Sequence, residues 1–309
     1  LRPHYSVEEK DQLFVAPAQG GEPRQLTDLA FDVGSVVWAQ DGRQLFFSGD
    51  EYEDDELNRE LTEDLWTIPF AGGPARRLTT NPGSETNPVL SPDGRRLAFL
   101  STPARGEGTD LMVVEVGPDG SFRGDPLNLT ADWDLRPGDP EWTQNGEALR
   151  FGSLIGGDAH LFRVPANPGP VEQVTTGARR LSDFSFSSDD GVMAFTATDA
   201  VTPTELYVAT GDGATEQKAT GFNDEWLRDV SLMPPERLTW TVGEEDVEVE
   251  GWVIKPVGYR EGTSYPMVLK IHGGPHSAYG NTFFHTFHVL SAAGFFVLYT
   301  NPRGSAGYG

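Results

Sequence analysis

Apolar positions in the first 235 residues fall in short runs cut by Gly, Pro and Asp, and three markers recur among them in a fixed order. The first is an acidic or polar residue followed by Leu and a large or β-favouring residue. It occurs at Leu13-Phe14, Leu65-Trp66, Leu111-Met112, Leu161-Phe162 and Leu206-Tyr207, at spacings of 52, 46, 50 and 45. The second is Leu-Thr or a relative of it, at Leu26-Thr27, Leu78-Thr79, Leu129-Thr130 and Val174-Thr175, with a weaker Ala219-Thr220. The third is a turn dipeptide with strand-like flanks: Asp41-Gly42, Asp93-Gly94, Asn145-Gly146 and Asp190-Gly191. Asp-Gly and Asn-Gly suit the positive φ angles of tight hairpins, so each unit of 45 to 52 residues predicts about four short antiparallel strands. That is the content of one propeller blade. One such sheet cannot bury both faces alone, so the units must stack. Five are visible, the first incomplete at its front, and residues 1–235 are expected to form β-propeller blades. A stacked sandwich array is the competing arrangement.

After Met233-Pro234-Pro235 the pattern changes. Glu248 to Ile254 includes a period-two stretch, while Met267–Ile271 and 295–299 are short apolar runs of the kind strands buried on both faces require. Between them, residues 281–293 place Phe283, Phe284, Phe287, Leu290 and Ala293 at helical spacings, with Gly294 as a stop. Residues 236–309 therefore predict strand, Gly-rich loop, helix and strand, an α/β unit with a parallel pair.

Composition narrows the chemistry. The 309 residues allow two domains, and the absence of Cys excludes thiol catalysis and Cys-ligated zinc. With 23 Lys+Arg against 47 Asp+Glu, the net charge of -24 would repel nucleic acid and anionic membrane faces, so neither is expected as a partner. No run approaches the roughly 18 apolar residues of a membrane span, and Leu1-Arg2-Pro3-His4 lacks the features of a signal peptide. A cytoplasmic location is the default expectation. Residues 236–309 hold 5 basic and 7 acidic side chains, leaving 18 minus 40, or -22, for residues 1–235. The absence of an initiating Met and the loop-like final nine residues suggest a piece of a longer polypeptide.

One gap in the repeat is long. From Ser48 to Leu65 there are 17 positions, against 8 to 10 in the later repeats, and the insertion is rich in carboxylates, including Glu53 and Glu56. They could capture a cationic group such as a peptide's free amino terminus. The alternative is a solvated loop that keeps the protein soluble.

The loop after the run ending at Ile271 reads His272-Gly273-Gly274-Pro275. Adjacent glycines straight after a strand let the backbone turn sharply and expose N–H groups, as an anion or oxyanion site requires. No G-x-x-x-x-G-K-[ST] or G-x-G-x-x-G is present and the loop has no Lys, so an acyl-transfer oxyanion hole fits better than a phosphate cradle, and no cofactor is implied.

The repeats, the Gly251-Trp252 segment, the His272-Gly273-Gly274-Pro275 loop and the stretch Asn301 to Gly309 together resemble the prolyl oligopeptidase family of serine peptidases, in its acylaminoacyl-peptidase branch. The resemblance spans essentially the whole chain. It implies a propeller capping an α/β-hydrolase domain, of which 236–309 would be the N-terminal portion, and a preference for short peptides. It also implies that Gly274 N–H is an oxyanion donor, and that the chain can assemble into homo-oligomers. The family carries its nucleophile on a G-x-S-x-G elbow beyond the segment matching 301–309. No Ser in this chain has Gly at both -2 and +2: Ser264 lacks the second Gly, and Ser305 has Arg303 at -2. Nucleophile, base and acid are therefore expected in a missing C-terminal catalytic segment, and this chain alone is expected to be inactive.

The remaining candidates have plainer readings. His285 and His288 sit beside Phe284 and Phe287 on the expected helix, which favours packing or surface roles. His272 and His276 share an i, i+4 spacing, but a Gly-Pro loop cannot hold helical metal geometry, so no metal is expected. His272 is expected to brace the loop. Arg303 would anchor a loop or meet a substrate carboxylate. A dipeptidyl aminopeptidase, a carboxypeptidase and a noncatalytic propeller interaction module are the competing functions.

Overall fold

The computed structural model describes residues 10–50, 63–104, 106–243, 247–274 and 276–309. The carboxylate-rich insertion, with Glu53 and Glu56, and Pro275 lie outside the described residues. The chain divides into two compact units, Leu1–Trp133 with Pro137–Phe151 and Val164–Val171, and Asp134–Arg136 with Gly152–Arg163 and Glu172–Gly309.

The first unit begins with the antiparallel pair β1 (Phe14–Val15) and β2 (Arg24–Gln25). Two four-stranded antiparallel sheets follow, each in sequence order. One comprises β3 (Val33–Trp38), β4 (Gln44–Asp50), β5 (Glu63–Pro69) and β6 (Arg76–Arg77). The other comprises β7 (Ser84–Leu90), β8 (Arg96–Thr102), β9 (Asp110–Val116) and β10 (Phe122–Asn128). Neighbouring residues of one strand feed different cores. Phe47 and Trp66 pack with Leu13, Leu26 and Phe31, whereas Phe46 and Leu65 pack with Leu97, Phe99 and Val114 of the next sheet. The central strands β4 and β5 are thus buried on both faces, while β3 and β6 are largely exposed. Each fully buried Phe or Leu contributes about 1.5–3 kcal/mol.

The next strands are β11 (Glu141–Trp142), β12 (Ala148–Ile155), β13 (Asp158–Pro165) and β14 (Glu172–Gln173), the unit boundary falling within β12 and β13. In the second unit β15 (Arg180–Phe186), β16 (Val192–Thr198), β17 (Glu205–Thr210) and β18 (Glu216–Lys218) pair in order, and β13 meets β15 in parallel at Ala159 and Arg180.

The repeat markers are hydrogen-bond partners of one another. In every repeat the Thr of the second marker accepts the amide of the Leu in the first: Leu13 N to Thr27 Oγ1 (2.8 Å), Leu65 to Thr79 (2.9 Å), Leu111 to Thr130 (2.9 Å), Leu161 to Thr175 (3.0 Å) and Leu206 to Thr220 (2.9 Å). Three of these hydroxyls donate in turn to the acid before that Leu, at Asp64, Asp110 and Glu205. In the fourth repeat His160 stands there, its Nδ1 3.3 Å from Thr175 Oγ1. The third marker is a closed turn: Ser91 Oγ donates to Asp93 Oδ1 (2.6 Å), which also accepts Arg95 N (3.1 Å), while Ser91 Oγ accepts Arg96 N (3.0 Å). Thr143 with Asn145 and Ser187 with Asp189 repeat it. The fourth turn corrects the expectation of an Asp-Gly dipeptide there. Asp190, at φ 57°, takes the left-handed position that Gly94 holds at 68°, and Gly191 only supplies the amide.

Beyond β18 lies a short helix the pattern did not predict, α1 (Asp224–Asp229), with Asp224 and Glu225 in its first turn and Arg228 in its last, as the helix dipole favours. A mixed sheet then forms in the order β19-β20-β22-β21, from β19 (Glu236–Val242), β20 (Val247–Ile254), β21 (Met267–Ile271) and β22 (Phe296–Asn301). β21 and β22 are parallel, joined through α2 (His285–Ala292). Trp252, Ile254, Phe287, Val297 and Tyr299 form the core of this part, with Trp252 stacked on Tyr299 at 5.5 Å.

Two expectations change here. The helix starts at His285 rather than near 281, because Asn281 N donates to Gly157 O (2.9 Å) and Phe283 N to Thr198 Oγ1 (3.2 Å), which keeps 281–283 out of the helix. β21 is not buried on both faces. It stands at a sheet edge with Met267, Leu269 and Ile271 exposed at 59, 50 and 69%, a placement an apolar run alone cannot distinguish from a central strand.

Removing one bridging hydroxyl leaves a buried amide and a carboxylate each short of a partner. Thr130→Val is expected to destabilise the protein by about 1–3 kcal/mol, measured by denaturant unfolding. Glu205 supplies a pH test. Burial pushes its carboxyl up, but bonds from Thr220, Asn223 and Phe222 outweigh this and hold it at about 2, below the ordinary 4.5. A lowered carboxylate stabilises above its unfolded value and loses that contribution as pH falls through the folded one. Glu205→Gln is therefore expected to lower stability at neutral pH and to flatten its loss between pH 4.5 and about 2.

Candidate active site

The loop after β21 is built on one unusual backbone position. Gly274 has φ 141°, and a Cβ there would stand 2.8 Å from both His276 N and Ser277 N, so only glycine fits without displacing main chain. Gly273 has open space around its Cα. His272 lies beside them with Nδ1 3.0 Å from Gly273 O and Nε2 2.9 Å from Ser305 Oγ. The Ser305 hydroxyl donates to Pro302 O (2.6 Å), and its oxygen faces His272 Nε2. Ala306 N donates to Ser277 O (3.1 Å), and His276 Nδ1 lies 3.3 Å from Gly304 O. The glycine loop and the segment 302–306 are thereby zipped together.

Downstream, Asn301 at the end of β22 accepts Tyr279 N (2.7 Å) and donates to Tyr279 O (2.9 Å). Its Nδ2 also donates to Tyr308 Oη (2.7 Å), and Tyr308 donates to Glu250, which pairs with Arg237. Glu250 is buried, so the arginine and the phenol compensate a charge that would be costly alone. Burial, and then the Glu250 carboxylate, push the Tyr308 hydroxyl above its ordinary value, which keeps it a donor.

A cleft of about 770 Å³ opens here, lined by Asp158, His160, Arg237, Glu250, Arg303 and Tyr308 among others, with Gly304 and Ser305 on its wall. Burial pulls the His160 imidazole below its ordinary value. The expected loop residues His272, Gly273 and Gly274 are brought together with Ser305, and Arg303 faces the adjoining cleft. His288 is buried on α2, its Nε2 2.7 Å from Ala200 O and its ring stacked on Phe283, while His285 is exposed. Pattern reasoning missed Asn301, Tyr308 and Glu250 as a connected network.

The mostly β architecture, with a Thr hydroxyl closing each repeat, matches the propeller fold of the solved structures it superposes on. No family model matches the chain. An uncharacterized peptidase of Bacillus subtilis (strain 168), YuxL, is 30% identical over 388 residues, 96% of this chain and 59% of that protein. Dipeptidyl-peptidase 5 of Arthroderma otae is 25% identical over 231 residues, 74% of this chain and 32% of that protein. The acylaminoacyl peptidase of Pyrococcus horikoshii, in its orthorhombic crystal form, superposes with a TM-score of 0.64 at 21% identity, over 96% of this chain and 55% of that one. A puromycin-hydrolyzing peptidase of Mycobacterium tuberculosis gives 0.61 at 16%, over 97% and 56%. The chain thus spans between about a third and three-fifths of the length of these curated relatives. These relatives are peptidases, and the likeness of the chain to them supports its resemblance to the prolyl oligopeptidase family.

Gly280 and Gly157 meet backbone to backbone: a Cβ on Gly280 would stand 1.8 Å from Gly157 O. Gly280→Ala is expected to destabilise the protein by about 3 kcal/mol in equilibrium unfolding, because the clash is with main chain and cannot be relieved by a rotamer change.

Proposed function

We propose that this chain is part of a serine exopeptidase that hydrolyses short peptides in the manner of an acylaminoacyl peptidase. Residues 1–235 form propeller blades that gate access, and 236–309 form the N-terminal portion of an α/β-hydrolase domain. The Gly274 amide stabilises the tetrahedral oxyanion, within the loop of His272, Gly273 and Pro275. The nucleophile and its triad partners come from outside these 309 residues, so the chain alone is inactive. The observation that carries this reading is the glycine-only turn at Gly274, directly after a parallel strand and braced through His272 and Ser305. A cytoplasmic location and homo-oligomeric assembly accompany it.

Dipeptidyl aminopeptidase activity is a second reading, favoured by the relatives that bear the name dipeptidyl-peptidase 5. Glu53 and Glu56 would then hold the free amine, and Arg303 would serve a carboxylate in a carboxypeptidase.

The test is hydrolysis of acetyl-capped, uncapped and amidated peptides by the full natural polypeptide, with the 309-residue chain as control. Capped peptides are expected to be the better substrates and the control inactive. Preference for uncapped peptides would favour the dipeptidyl reading, and hydrolysis of none would leave the noncatalytic interaction module. In the full polypeptide Gly274→Ala is expected to lower kcat about 100- to 1000-fold with little change in KM.

A further inference from the structure

The segment that follows Gly274 is clamped by a side chain that no motif marks. Arg180, the first residue of β15, donates Nε to Gly157 O (3.1 Å) and Nη2 to both Ala278 O (3.1 Å) and Tyr279 O (2.8 Å). These acceptors are all main-chain carbonyls, so the guanidinium acts as a permanently charged planar fork on backbone rather than as half of an ion pair. Burial pulls the group below its usual value and Asp158 opposes that, but an arginine stays protonated.

Two other devices hold the same segment in register with the clamp. Asn281 donates its amide to Gly157 O (2.9 Å) and its side chain to Asp158 Oδ1 (2.7 Å), so Gly157 O receives both Arg180 and Asn281. The missing side chains of Gly157 and Gly280 then allow the contact, since a Cβ on Gly157 would stand 2.3 Å from Trp252. Ala278 is four residues from Gly274. The loop at Gly274 is thus flanked upstream by the contact of His272 with Ser305 and downstream by the carbonyls that Arg180 grips. Charge-assisted bonds are about twice as strong as neutral ones, which makes the arginine the firmest of these restraints.

We propose that Arg180 is a positioning residue for peptide hydrolysis, fixing the downstream end of the Gly274 loop so that its amide is already oriented when the oxyanion forms. The proposal rests on the peptidase reading above.

The experiment compares wild type, Arg180→Lys and Arg180→Met in the full natural polypeptide. It measures kcat and KM on an acetyl-capped and an uncapped chromogenic peptide, and hydrogen exchange at the amides of residues 277–281. Arg180→Met is expected to lower kcat about 10- to 100-fold, as misplacing a catalytic group does, with KM within about two-fold. Exchange at Tyr279 and Asn281 is expected to speed about ten-fold or more. Arg180→Lys should recover part of both, since an ammonium reaches some of the carbonyls without the fork geometry. If Arg180→Met does not fold, the Lys variant carries the comparison through the same two readouts. A loss confined to KM, or kcat and exchange both within about two-fold of wild type, would overturn the proposal. If wild type cleaves neither peptide, the peptidase reading fails with it. The exchange rates then decide separately whether the clamp exists.

Discussion

One threonine hydroxyl closes each repeat, and the rest of the structure is hung on that closure. The hydroxyl accepts the amide of the Leu on the third strand and, in three repeats, donates to the carboxylate just before it. It therefore ties the loop after the fourth strand back to the sheet, beside the backbone bond that the residue before the Thr donates to the carbonyl of the same Leu. The cost of leaving those buried groups unpaired is what makes the arrangement repeat at the level of sequence. His160 replaces the acid in one repeat, and burial keeps its imidazole below the ordinary value, suiting it to a neutral bridge between Thr175 and Gly177 O.

From there the chain of cause runs to the site. The closed fourth and fifth repeats present the turn at Gly156 and Gly157 and the start of β15, and these receive the segment 278–281. Asn301 takes both main-chain polar groups of Tyr279, as a neighbouring strand would. With its two ends restrained in this way, the loop at Gly274 can keep a backbone conformation that no other residue type adopts readily. Preorganised amides of this sort stabilise developing charge without reorganising when it appears.

Much of this was legible in the chain itself, for a physical reason. Leu65 and Thr79 are only 14 residues apart and bonded, and the Ser91–Asp93 turn is bonded within itself, so selection on local contacts leaves local marks. His272 and the two glycines were legible because backbone geometry after a strand restricts residue type. Arg180 was not, since two of its three acceptors lie 98 and 99 residues away and carbonyls impose no side-chain pattern. Tyr308 and Glu250, 58 residues apart, are hidden in the same way. Asp190 shows the opposite error: a visible Asp-Gly pair pointed to the wrong residue, because the carboxylate of Asp189 sets the turn one position earlier.

For the proposed function, the decisive relation would be between the Gly274 amide and a tetrahedral oxygen that forms only during acyl transfer. The most direct measurement is a crystal structure of the full natural polypeptide carrying a tetrahedral peptidyl phosphonate on its nucleophile. Hydrolysis through this loop requires the phosphonyl oxygen to lie about 3 Å from Gly274 N, with the bonds of His272 and Arg180 retained. An adduct whose oxygen lies out of hydrogen-bond reach of Gly274 N, or the failure of any adduct to form, would contradict it.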